Sequence, residues 1–200
     1  MKWSAAFLVG VLFFSYYMAA HAGTFESVDG FSCDQPGASP WTYEAYRAED
    51  GAYLPMIFGR APITELSRYG MEARYLPDGG QPYYPYISRF PDGLRGSPAT
   101  SGRRFDAVTC WSAPAASKVR VTGFVELMGN IKWEAAGKRI RARLLKGKEV
   151  LWDKEVEGAA REEFSVDTDV AAGDKVRLHL ENMDGTGGKL TLFDVSIDNL

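Results

Sequence analysis

Val119-Arg120-Val121-Thr122-Gly123-Phe124-Val125-Glu126-Leu127 is the stretch that decides the fold class. Val119, Val121, Val125 and Leu127 share one parity, while Arg120, Thr122, Phe124 and Glu126 take the other. An apolar period of two is the signature of a strand with one face buried and one face wet. The pattern recurs downstream. Ile140, Ala142 and Leu144 alternate with Arg139, Arg141 and Arg143, and Lys146-Gly147-Lys148 then turns the chain into Val150-Leu151-Trp152, a hairpin signal. Phe164 and Val166 open another strand, and Ala172-Gly173-Asp174 marks a turn. Val176, Leu178 and Leu180 alternate with Arg177, His179 and Glu181, and Phe193, Val195 and Ile197 form the last strand. No stretch after residue 114 has a 3.6-residue period. Many short strands punctuated by turns predict an all-β chain, an antiparallel β-sandwich or barrel.

Upstream the composition changes. All ten prolines lie between Pro36 and Pro114, and every tyrosine beyond residue 22 lies between Tyr43 and Tyr86. Proline fixes φ and removes a ladder donor, so this half is expected to be irregular and rich in turns. Residues 63–73 are the one place where a short helix is expected. No Gly/Ser or charged linker separates the halves, so residues 23–200 read as a single β-sandwich domain with a Pro/Tyr-rich N-terminal half.

Lys2 precedes an apolar run over residues 3–20 that ends in Ala20-His21-Ala22, a small-x-small pattern suited to signal peptidase. Residues 1–22 are therefore expected to be a cleaved signal peptide. The processed chain would be periplasmic or secreted, with no membrane segment left. In an oxidising compartment an even cysteine count favours pairing, so Cys33 and Cys110, the only two, are expected to form a disulfide. That bridge would close a loop of 78 residues, worth about 4–5 kcal/mol in the chain-entropy model.

The 200 residues carry 23 Lys+Arg and 26 Asp+Glu, a formal charge of −3, with 46% hydrophobic and 24% charged residues. This near balance, with a pI near 5.5, excludes a nucleic-acid binder driven by charge.

The order of short motifs adds a resemblance. Phe31-Ser32 with Gln35-Pro36-Gly37 and Pro40-Trp41-Thr42-Tyr43 is followed by Ala107-Val108, Cys110-Trp111-Ser112-Ala113-Pro114 and Val119-Arg120-Val121-Thr122-Gly123. Then come Arg141-Ala142-Arg143-Leu144, Gly147-Lys148-Glu149-Val150-Leu151-Trp152, Val170-Ala171-Ala172-Gly173-Asp174-Lys175-Val176 and Asp194. Together they resemble the galactose-binding-like jelly-roll domains that serve as non-catalytic carbohydrate-binding modules on secreted bacterial polysaccharide-degrading enzymes. The resemblance spans most of residues 31–198 and implies a jelly roll. Phe90-Pro91 stands where such domains often carry His-Pro. A structural calcium is common among them, with Asp194 and Asp198 the candidate ligands here. No other cofactor is expected.

Catalytic motifs are sparse. His179 is the one histidine after residue 22, no Gly-x-Ser-x-Gly elbow accompanies it, and its alternation with Arg177 and Glu181 predicts an exposed strand position. Gly185-Thr186-Gly187-Gly188-Lys189-Leu190 lacks the Walker spacing, and Asp167-Thr168-Asp169 lacks an EF-hand loop. Arg139, Arg141 and Arg143 would line one strand face, either gripping an anionic polysaccharide or balanced by Glu149, Asp153, Glu155 and Glu157 on the adjoining arm.

Aromatic residues give the best functional signal. Trp41, Tyr43 and Tyr46, and Tyr83, Tyr84 and Tyr86, lie between prolines and glycines. Flat rings flanked by polar donors suit the apolar face and hydroxyl rim of a sugar, although such rings also pack loops onto a core. Trp111, Trp133 and Trp152 read as core. The expected ligand-binding set is Trp41, Tyr43, Tyr46, Tyr84, Tyr86 and Arg89, with Arg47 as a second candidate cation. The expected function is that of a secreted non-catalytic polysaccharide-binding protein. The alternatives are a polysaccharide lyase or glycoside hydrolase, and an envelope or matrix component that binds a protein partner.

Overall fold

The alternation read in the sequence sorts residues onto two sheets in the computed structural model. It describes residues 23–31, 39–59, 72–74, 85–90, 92–98, 105–128, 139–183 and 190–200. Among these residues fourteen strands run in chain order: β1 (Thr24–Glu26), β2 (Trp41–Arg47), β3 (Ala52–Pro55), β4 (Ile57–Gly59), β5 (Glu72–Arg74), β6 (Tyr86–Phe90) and β7 (Gly93–Ser97). They continue with β8 (Phe105–Ser112), β9 (Ser117–Leu127), β10 (Arg139–Lys146), β11 (Glu149–Glu157), β12 (Arg161–Val170), β13 (Lys175–Asn182) and β14 (Thr191–Asn199). Among the described residues there is no helix. Within the span 63–73, Glu72 and Ala73 lie on β5, and the remainder falls outside the described residues.

One sheet has eight strands, in the order β12-β9-β14-β7-β6-β5-β4. β1 pairs with the half of β14 that β7 leaves open. The other sheet has six, β11-β10-β13-β8-β2-β3. Every pairing among the described residues is antiparallel. From β8 onward the chain passes repeatedly between sheets, returning to the six-stranded sheet for the β10–β11 hairpin and again for β13. The molecule is thus an all-β sandwich of jelly-roll type. The hairpin turns through Gly147-Lys148, with Gly147 at φ 59° and Lys148 outside the positive region. Glycine at the first central position is what a type II′ turn asks for.

The inward parity makes the core. Val119, Val121, Val125 and Leu127 of β9 meet Ile140, Ala142 and Leu144 of β10, Val176, Leu178 and Leu180 of β13, and Phe193, Val195 and Ile197 of β14. Trp111 is fully buried at the centre, and Trp152 packs on the margin, 5.0 Å from the Phe164 ring; Trp133 lies outside the described residues. Gly123 holds the inward place between Val121 and Val125 because nothing larger fits. A β-carbon there would stand 2.1 Å from the Asp194 carbonyl oxygen and 2.7 Å from the Phe164 ring.

The Pro-rich half also contributes to this core. Trp41, Tyr43 and Ala45, the inward parity of β2, belong to the same cluster. Pro40 precedes the strand, where its missing donor costs no ladder bond.

Candidate functional site

If Trp41, Tyr43 and Ala45 point inward, then Thr42, Glu44 and Tyr46 point away from the core. The same parity rule places the other outward residues of the six-stranded sheet. They include Tyr53 on β3; Asp106, Val108 and Cys110 on β8; Lys175, Arg177, His179 and Glu181 on β13; Arg139, Arg141 and Arg143 on β10; and Asp153, Glu155 and Glu157 on β11. This face carries the densest polar chemistry among the described residues.

Its middle is built in two tiers. The outward residues of the central strand β8 are short, while Glu44 and Tyr46 of β2 and the outward residues of β13 are long. Arg177 Nε donates to Glu44 Oε2 at 2.7 Å and Lys175 Nζ donates to Glu44 Oε1 at 3.1 Å. Those contacts reach over β8, about 9.6 Å from β2 to β13. They form a roof above Val108 and Cys110, both fully buried yet outside the core cluster. Burial works against charge on Arg177, but Glu44 outweighs it and holds the guanidinium above its ordinary pKa. Arg177 also lies 4.1 Å over the Tyr53 ring, a cation–π contact. Burial raises the Tyr53 phenol, with Arg177 opposing.

Beside this roof, His179 Nε2 and Asp106 Oδ2 stand 2.9 Å apart, both side chains 1% exposed. The Tyr46 ring packs edge-on against His179 at 4.7 Å, and Tyr53 does so at 6.3 Å. His179 therefore takes the outward parity that its alternation indicates, but it is buried rather than exposed. The tyrosines of β2 and β3 cover it, which a local pattern cannot reveal. His179 Nδ1 and Arg143 Nε, on directly opposed residues of β13 and β10, are buried without a hydrogen-bond partner among the described residues.

Toward β11 the face opens to solvent, and the arginine row is interleaved with carboxylates. Arg141 Nε and Nη2 donate to the two Asp153 oxygens at 2.8 and 2.5 Å. Arg143 donates to Glu181 at 3.0 Å, and Arg139 stands 3.8 Å from Glu155. The hydrogen bond from Arg141 lowers the Asp153 pKa, and the same bond raises that of Arg141. Of the two sequence readings of this row, the balanced one holds, with Asp153 and Glu155 as partners and Glu181 from β13 added.

The residues expected to bind ligand are dispersed. Among the described residues of that set, Tyr46 alone lies on this face. Trp41 and Tyr43, 5% and 3% exposed, are core residues, placed there by the strand parity of β2. Tyr86 lies on β6 of the other sheet, and Arg89 is an exposed β6 residue 3.5 Å from Asp29. Tyr83 and Tyr84 fall outside the described residues, as does the segment 185–189. Arg47 clamps the β2–β3 turn through Asp50. Cys110 is fully buried, and burial is the chief cause that raises its thiol pKa; Cys33 lies outside the described residues, so no bridge is shown. Asp194 accepts from Ser27 and Asp198 from Thr24. No group of three or more His, Cys, Asp or Glu poised for a metal occurs among the described residues. Glu44, Tyr53 and Asp106 are not singled out by the sequence, and His179 is singled out there only as an exposed strand residue. The period of two in Trp41-Thr42-Tyr43-Glu44-Ala45-Tyr46 is the signal that would have found Glu44.

No protein-family model matches the chain, and no curated protein does. Solved structures similar to it are diverse. The xylan-binding module CBM15 is 12% identical, with 72% of this chain and 97% of that one covered and a TM-score of 0.37. The CBM22-1 xylan-binding domain of Paenibacillus barcinonensis Xyn10C is 12% identical, covering 84% and 92%, with a TM-score of 0.33. Rabbit GITRL is 11% identical, covering 53% and 93%, with a TM-score of 0.34. Likeness at this level decides nothing about function, and the sandwich stands on its own strand pairing.

Proposed function

We propose that the protein binds a polysaccharide, without catalysis, on the outward face of its six-stranded sheet. The observation that carries this reading is the placement of Tyr46 and Tyr53, both half-buried, beside guanidinium–carboxylate pairs that hold one another in place. A sugar ring offers C–H groups to an aromatic surface and hydroxyls to fixed donors and acceptors. Groups already ordered by one another lose little freedom on binding, which favours affinity. The face replaces the loop aromatics as the centre of the site.

Export through residues 1–22, action in the periplasm or outside the cell, and a Cys33–Cys110 bridge complete the proposal. An enzyme reading draws on the buried Asp106–His179 pair, which resembles the base and orienting acid of a triad. No hydroxyl or thiol partners His179 Nδ1 among the described residues, so binding is preferred. An envelope protein partner remains the competitor for the same face.

A glycan array probed with the purified protein and its Tyr53→Ala variant tests the proposal. Binding to one glycan class, lost in the variant while the fold persists, is the expected result. Silence of the folded protein across the array, or product release from a bound glycan, would remove it.

A further inference from the structure

The arginine row has a second consequence, which rests on the binding reading just given. We infer that Asp153, Glu155 and Glu181 make this face select neutral glycans over acidic ones. Three arginines at alternate positions of one strand would by themselves form a ladder for uronates or sulfates, since a guanidinium takes an oxyanion by two parallel hydrogen bonds. Here that edge is already occupied on Arg141, and Arg143 and Arg139 each have a carboxylate beside them. Both Asp153 oxygens are engaged by Arg141 Nε and Nη2, Glu181 holds Arg143, and Glu155 stands against Arg139. These carboxylates come from the strands on either side of β10, two from β11 and one from β13, so an anion approaching the row meets a resident carboxylate on both flanks.

The rest of the face follows the same arrangement. Lys175 and Arg177 converge on Glu44, and Asp106 faces His179. Among the described residues the face carries five Lys and Arg against six carboxylates, Glu44, Asp106, Asp153, Glu155, Glu157 and Glu181. An incoming uronate must displace a resident carboxylate and leave it beside the new anion, and such like-charge contacts strongly disfavour a partner. A neutral hydroxyl needs no displacement. Arg141 spends two of its five N–H donors on Asp153, and each carboxylate oxygen has lone pairs beyond those in use. A hydroxyl can accept from the first and donate to the second while the ion pair stays closed.

The purified protein is titrated calorimetrically with neutral gluco-, xylo- and manno-oligosaccharides and with oligogalacturonate and oligoguluronate of matched length. Each titration is run at low and high salt. Asp153→Asn, Glu181→Gln and the double variant are treated alike, with thermal unfolding as the check on folding. The expected result is wild-type binding to a neutral class at least about tenfold tighter than to either acidic one, and nearly independent of salt. The double variant should gain about tenfold or more toward the acidic oligosaccharides, and that gain should fade in high salt. Preference of the wild type for an acidic glycan would overturn the inference while leaving glycan binding intact. So would a folded double variant that keeps neutral binding and gains nothing. Failure of the folded wild type to bind either class would instead overturn the binding reading, and this inference with it.

Discussion

Replacing Glu44 with alanine isolates the link that ties the β2 edge of the site to β13. Its carboxylate is buried and takes one hydrogen bond each from Arg177 and Lys175. Hydrogen bonds to charged groups contribute about 1.5–3 kcal/mol each, and breaking a well-buried pair costs about 3–5 kcal/mol. The two partners differ, however. The Arg177 side chain is 11% exposed and has no easy recourse to water, whereas Lys175 is 44% exposed and its share falls to about 0.5 kcal/mol. The expected cost of Glu44→Ala is therefore about 3 kcal/mol, or about 6–12 °C in Tm for a chain of this size. Glu44→Gln keeps one acceptor for Arg177 and should cost about half as much. Lys175→Ala should cost less than about 1 kcal/mol. Urea unfolding followed by fluorescence reads all three, with an unchanged slope required for the comparison. The reasoning fails if Glu44→Ala stays within about 0.5 kcal/mol of wild type, or if Lys175→Ala is as damaging as Glu44→Ala.

Other substitutions and conditions test separate links. Gly123→Ala puts a methyl group against the backbone of the adjacent strand and should cost more than about 4 kcal/mol or prevent folding. Gly147→Ala meets no atom within 4 Å but keeps φ at 59°, so about 1–2 kcal/mol is expected; equal effects from the two would contradict the packing argument. Asp50, Asp153 and Asp167 all have folded pKa values lowered first by hydrogen bonds from Arg47, Arg141 and Arg120. Their contribution is thus present above the ordinary carboxylate pKa and lost as pH falls through the lowered folded values. Stability should decline below about pH 4, modestly and less so in high salt; stability rising on acidification would reverse that sign. Mass spectrometry of exported protein should find Gly23 at the N-terminus and no free thiol after denaturation, whereas two titratable thiols would remove the proposed bridge.

The strands after residue 114 were legible because alternation is a local property. Val119, Val121, Val125 and Leu127 turn inward as their spacing requires, and Gly147 and Gly173 sit in the turns where glycine is favoured. For Trp41 and Tyr43 the flanking prolines suggest loop positions, whereas the seven-residue alternation of β2 puts both rings in the core. Burial of His179 was illegible for another reason. Its cover comes from Tyr46 and Tyr53, more than a hundred residues earlier in the chain, and only the sheet order β13-β8-β2-β3 brings them together. The Glu44 contacts with Lys175 and Arg177 span a similar distance in sequence. Composition showed that charges exist but not which of them pair, and that pairing is what separates a neutral-glycan face from an anion-binding one.

The most direct test of glycan recognition by this face is amide chemical-shift mapping of the isotopically labelled protein, titrated with the glycan class selected on the array. The account expects perturbations concentrated on β2, β3, β13 and β10, around Tyr46, Tyr53, Arg143 and Glu181, and abolished by Tyr53→Ala. Perturbations centred instead on Tyr86 and Arg89 of the eight-stranded sheet, or persisting unchanged in Tyr53→Ala, would contradict it.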